Sequence, residues 1–249
     1  MGLQHRLVQA ALSLIALLVL WQIAAALADS RLLPGPDLVL TVMARATASG
    51  ELPYHLGITL WRVTASFALA MLIGMAIGIL LGRKPGLDRY MDSWLVLFLN
   101  IPALVTIILA YVWFGLVEAA AIGAVAVNKI PNVAVTLREG ARALDRDLLE
   151  MAQAFRLSRV QTLRHVVLPQ LSPYVMVAAR SGLALIWKIV LVVELLGRSD
   201  GVGFQLQLFF QLFDVPAILA YTLAFVAVVQ VIELTILQPL ERRVTRWRR

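Results

Sequence analysis

Cysteine is absent from the 249 residues, and only 15% of them are charged. The first absence removes disulfides, thiolate metal sites and a cysteine nucleophile. The second lies far below the ~25% charged residues of an ordinary soluble domain. Histidine is scarce: His5, His55 and His165 are scattered, with no His-Glu-x-x-His zinc spacing. No Gly-x-x-x-x-Gly-Lys-Ser/Thr loop is present to cradle ATP phosphates, and no Gly-x-Ser-x-Gly nucleophile elbow. The chain is therefore not expected to be an enzyme, and no cofactor or metal is expected to bind to it.

What remains is apolar. Hydrophobic residues make up 61%, with mean hydropathy +0.84, against about 45–50% in soluble domains. The excess must face lipid. A helix needs ~20 mainly apolar residues to cross the hydrocarbon, and six stretches qualify: Leu7–Ala28, Leu60–Leu81, Trp94–Phe114, Ala119–Val135, Val175–Leu196 and Ile218–Leu237. The fold expected is an all-α polytopic membrane protein with residues 1–249 forming one transmembrane domain. Pro102 interrupts the third span and predicts a kink at Asn100–Ile101. Ala26-Leu27-Ala28 offers a small-residue cleavage site, but the apolar run before it exceeds the 7–15 residues of a signal core. An uncleaved first span is the favoured reading.

The net charge of +7 raises nucleic acid as a partner until the cations are placed. Fifteen lie in alternate loops and at the ends: Arg6; Arg83, Lys84 and Arg89; Arg138, Arg142, Arg146, Arg156, Arg159 and Arg164; and Arg242, Arg243, Arg246, Arg248 and Arg249. The opposite side holds three, Arg31, Arg45 and Arg198. Positive charge accumulates on the cytoplasmic side, so both termini and the 136–174 segment are expected there. Lipid, not nucleic acid, is the partner this pattern implies.

On the outer side, Leu32–Pro36 reads as a rigid turn and Asp37–Ala48 as a short surface helix. Gly74, Gly78 and Gly82 recur every four residues and permit close helix approach. Packing within one subunit is favoured over dimerisation. Gly201-Val202-Gly203-Phe204 reads as an outer turn or short re-entrant segment. Lys129, Arg180, Lys188, Glu118, Glu194 and Glu233 fall in or beside spans. A central Lys or Arg costs about 2.5–3.5 kcal/mol, so such groups face a bundle interior or wet cavity. Lys129, Arg180, Lys188 and Glu194 are candidates for a substrate path, the cations suiting an anionic solute. The bland reading has Arg180 reaching the cytoplasmic boundary and the two lysines balancing buried carboxylates.

The segment 150–169 is polar and cytoplasmic, and leads into the fifth span. Met151, Ala154, Phe155, Leu157, Val160 and Leu163 have broadly helical spacing, interleaved with Arg156, Arg159 and Arg164. Leu168-Pro169 is expected to end that helix, and Pro173 to mark entry to the next span. Such a segment suits either a docking lever or an amphipathic helix on anionic headgroups.

Glu150, Ala152, Ser158, Arg159, Leu168 and Pro169, with Gly140, Trp187, Glu194, Gly201–Phe204, Leu240–Arg243 and Trp247, resemble the inner-membrane permeases of bacterial ABC importers. The pattern is most similar to those for nitrate, sulfonates and taurine, whose outer Leu-Pro-x-Pro pattern also recurs at Leu33–Pro36. The resemblance makes 150–169 an "EAA" coupling loop, with Glu150, Ala152, Phe155, Arg156, Ser158, Arg159, Leu163, Leu168 and Pro169 as mechanical contacts to an ATPase. It implies a homodimer with two ATPase subunits, which would bind ATP and magnesium, and a periplasmic or lipid-anchored solute-binding protein. Localisation would be the bacterial inner membrane. Arg156 departs from the glycine usual there; it either takes up left-handed backbone at roughly 1–2 kcal/mol or leaves the loop helical. Competing readings are an ion-coupled carrier or channel using the buried Lys and Glu residues, and a non-transporting scaffold.

Overall fold

A computed structural model describes the backbone of residues 3–28, 30 and 32–245 and the side chains of residues 9, 12–28, 30 and 32–241. The side chains of His5, Arg6, Leu7, Arg31, Arg242, Arg243, Arg246, Trp247, Arg248 and Arg249 therefore lie outside the description. Among the described residues every regular element is helical. In chain order they are α1 (Leu3–Ala28), α2 (Pro36–Ala48), α3 (Glu51–Arg83), α4 (Pro85–Asn100), α5 (Ala103–Phe114) and α6 (Glu118–Arg142). There follow α7 (Arg146–Ala154), α8 (Arg159–Thr162), α9 (Leu168–Gly197), α10 (Val202–Gln211), α11 (Val215–Ile232) and α12 (Gln238–Thr245).

By length and apolar content, α3, α6, the run Arg159–Gly197 and the run Val215–Glu241 are each long enough to cross a membrane. α4 and α5 qualify only together, and they meet at 93°. This is a break, not the kink expected at Asn100–Ile101. Pro102 cannot donate a helical hydrogen bond, and it holds Ile101 in extended backbone (φ −71°, ψ 122°). In α1, the stretch with described side chains, Leu12–Ala28, is an apolar helix. Among the described residues, four helices are thus long and apolar enough to cross a membrane, or five if α4 and α5 form one span.

α3, α6 and α9 form the central bundle, with α3 against α6 the most extensive contact. The glycine stripe explains it. A Cβ on Gly74 would come within 2.6 Å of Val133 Cβ, and one on Gly82 within 2.6 Å of the Arg138 carbonyl oxygen. The stripe thus packs inside one subunit, as favoured. α5 lies along α6, α10 rests on α9 and α11, and α11 on α2. Arg138 reaches Asp92 at 2.6 Å and Asp88 at 3.2 Å, and Arg142 also pairs with Asp88, tying α4 to the end of α6. Outward faces carry large exposed apolar residues such as Leu20, Leu72, Val112 and Trp113, as lipid requires.

Two expectations at the α8–α9 junction are corrected. Leu168-Pro169 does not end a helix: α8 runs through a π turn, Leu163–Val167, into α9. In that turn the Leu168 amide bonds back to Leu163, five residues away, so the added residue lets proline enter at the start of α9. Pro173 likewise lies inside α9.

Candidate functional site

The 143–168 segment folds as helix, tight turn and helix. Asp145 caps α7, its carboxylate accepting from the Asp147 amide at 2.8 Å. After Ala154 the chain turns sharply: the Arg156 amide donates to Gln153 O and the Leu157 amide to Ala152 O, both at 2.9 Å. This is a Schellman ending, whose pivot residue needs left-handed backbone. Arg156 supplies it, with φ 52°. Of the two alternatives for this departure, the structure takes the turn. Ser158 then opens α8 with a reciprocal capping box to Gln161.

The α7–α8 segment faces two ways. Ala152 is buried, while Met151, Phe155 (75% exposed), Val160 (73%) and Leu163 project outward. Glu150, Arg156, Ser158, Arg159 and Arg164 are also exposed; apart from Ser158 in its capping box, these side chains make no ion pair or hydrogen bond among the described residues. Leu168 is exposed and Pro169 half-buried where this segment joins α9. Gln170, which sequence reasoning missed, clamps the two: its Oε1 accepts from the Asp145 amide at 2.8 Å, and its Nε2 donates to Val166 O at 3.0 Å. Ala141, Leu144, Val167 and Leu171 close a small core beneath. Motion of α7 is therefore tied to α9 through packed, hydrogen-bonded contacts.

At the far end of the bundle Arg62, 2% exposed, meets three carboxylates. It reaches Glu118 at 2.8 Å and Glu194 at 2.9 Å, and pairs with Asp200. Glu194, wholly buried, also accepts from Thr59 at 3.0 Å and from the Gly203 amide at 2.8 Å. The Gly201 amide donates to His55 Nδ1 at 3.0 Å. Any side chain on Gly201 would strike the Glu194 carboxylate, which explains the glycines of the Gly201–Phe204 segment. Arg198 adds a pair to Glu118 at 2.8 Å. The cluster fastens α10 across α3, α6 and α9.

The four path candidates fall in different settings. Glu194 belongs to the Arg62 cluster inside the protomer. Arg180 pairs with Glu233 at 3.1 Å and with Glu241. Lys129 is 2% exposed, and its Nζ has no hydrogen-bond partner among the described residues. Lys188 is exposed on α9 and makes no ion pair or hydrogen bond among the described residues. An open cavity of about 640 Å³ between α5 and α6 is lined by apolar residues such as Trp113, Phe114 and Ala124, and by no cation.

Residues 54–245 match the family described as binding-protein-dependent transport system inner membrane component. The chain belongs to that family. The permease is 31% identical over 192 residues to SsuC of Escherichia coli (strain K12), named for aliphatic sulfonates transport, covering 76% of this chain and 73% of that one. It is 28% identical over 193 residues to the taurine transport system permease TauC of the same organism, covering 78% and 70%. Among solved structures, the inward-facing MetNI methionine ABC transporter superposes with TM-score 0.63 at 21% identity, covering 75% of the permease and 92% of that chain. That last likeness shows the fold. The permease is thus a multi-pass inner-membrane transport subunit of an ABC importer, not itself an enzyme; ATP hydrolysis belongs to a separate subunit.

Proposed function

We propose that the permease imports a small oxyanion-bearing solute of the sulfonate, taurine or bicarbonate kind, and that its α7–α8 loop receives the stroke of the ATPase. Three curated relatives are named for such solutes. The observation that carries the coupling role is the rigid turn at Arg156, which presents Phe155, Val160 and unpaired arginines from a lever clamped to α9. Glu150, Ala152, Phe155, Arg156, Ser158, Arg159, Leu163, Leu168 and Pro169 act mechanically in this reading. Ala152 packs from beneath; Phe155 and Leu163 offer apolar contact.

The assembly is a pair of permeases, two ATPase subunits and a solute-binding protein, periplasmic or lipid-anchored. Residues 1–249 form one transmembrane domain, α1 supplying the sixth span, with both termini and residues 136–174 in the cytoplasm. The excess of arginine in those segments supports this orientation. Closure of the ATPase pair on ATP draws the two loops together and opens the cavity outward; hydrolysis resets it. Co-purification tests the docking surface. The tagged wild type should retain its co-expressed ATPase. Phe155→Asp, and separately Arg159→Glu, should lower retention at least ten-fold while the permease still reaches the membrane. Undiminished retention in both variants would remove the loop from the interface.

A further inference from the structure

Lys129 of α6 and Arg180 and Lys188 of α9 lie away from the ends of their helices, and their surroundings separate them. Arg180 is balanced by Glu233 and Glu241. Lys129 is enclosed between helices, its stem close to Gly182 of α9. Lys188 alone of the three is both exposed and without a counter-charge among the described residues. Its neighbours on the same exposed stripe are Ser181, Ala184, Leu185, Val192 and Leu195, none of which can neutralise it.

Lys188 stands nine residues before Gly197, the last residue of α9, which is about 13 Å of helix. Side chains on a helix lean toward its N-terminus. For α9 that direction leads away from the near boundary and further into the membrane, so reaching the near headgroups works against helix geometry. A free ammonium at this depth belongs on a wet face.

We infer that Lys188 lines the solute path and is the cation that contacts the passing oxyanion. This rests on the reading of the permease as an importer of small oxyanions. A lone ammonium is a compact point charge with three donors. It attracts a sulfonate or bicarbonate oxygen without the two-pronged grip of arginine, which suits a contact that must also release. Ser181 and Ala184, small and adjacent along the stripe, leave room beside it.

The absence of cysteine makes the test direct. Membrane vesicles would hold the permease with its ATPase and solute-binding protein, and labelling would be read on the permease chain. A membrane-impermeant methanethiosulfonate should modify Lys188→Cys, and should leave Leu223→Cys, an exposed position on α11, unmodified. In the same vesicles, ATP-driven uptake of radiolabelled ethanesulfonate, taurine and bicarbonate is measured at equal amounts of assembled complex. Lys188→Met should lower uptake of the transported solute at least ten-fold, and Lys188→Arg should restore it to within about three-fold of wild type. Wild-type rates in Lys188→Met, failure of Lys188→Arg to rescue, or an unlabelled Lys188→Cys would overturn the assignment while leaving the importer reading intact. A wild-type complex that moves none of the three solutes would overturn the oxyanion reading and the assignment with it.

Discussion

Arg156 occupies backbone that glycine enters freely and other residues enter at about 1–2 kcal/mol (φ 52°). Arg156→Gly should relieve that strain and keep ATPase retention at or above wild type. Arg156→Val, β-branched and worse in this conformation, should reduce it; the two are compared by co-purification. The departure from glycine was legible in the sequence. Its outcome was not, because the choice lies in the hydrogen bonds of Arg156 and Leu157 back to α7. Arg62 makes a parallel case. Its partners lie 56, 132 and 138 residues away, so helical periodicity could not pair them, and of the four only Glu118 and Glu194 stood out in the sequence. Removing one member of a buried pair typically costs about 3–5 kcal/mol, whereas replacing both with apolar groups is often near neutral. Arg62→Met should therefore lower the thermal midpoint of the detergent-purified permease markedly. Arg62→Met with Glu194→Met should recover part of the loss. A double variant no better than the single would count against pairing as the source.

The elements divide by how local their causes are. The spacing of the glycine stripe pointed to close packing within a subunit, and α3 indeed meets α6 there. Gly78→Leu should abolish folded yield, since a Cβ would lie 2.5 Å from Ala134 O and 2.8 Å from Leu137 Cβ. Gly57→Ala, at a helical site with nothing within 4 Å of the added carbon, should raise stability by up to about 1 kcal/mol. Size-exclusion profiles and melting curves separate the two. Pro102 announced a kink in the third span; the 93° break found there is set by what α4 and α5 pack against, which the local sequence does not contain. Pro169 was misread for a related reason. A proline rule assumes α-helical register, and the π turn at Leu163–Val167 shifts that register by one residue. Gln170 passed unnoticed because a single glutamine carries no periodic signal.

The whole molecule joins an ion cluster at one end of the bundle to a lever at the other, with α9 running between them. Glu194 and Gly203 fasten the far end through α10; Gln170 and Leu171 fasten the near end to α7. In the proposed mechanism a push on α7 reaches the face that carries Lys188. Reporter fusions test the orientation this requires. A fusion after residue 145 or at either terminus should fluoresce as a cytoplasmic protein, and one after Gly50 should be active only on the outer side; the reverse pattern would invert the lever. In the proposed mechanism force enters through the α7–α8 loop and leaves as solute movement. This is tested most directly by ATP-driven uptake in proteoliposomes containing the permease, its ATPase and the solute-binding protein. Uptake should need ATP and all three components, and should fall at least ten-fold in Phe155→Asp. Uptake by the permease alone without ATP, or full uptake in Phe155→Asp, would contradict the mechanism.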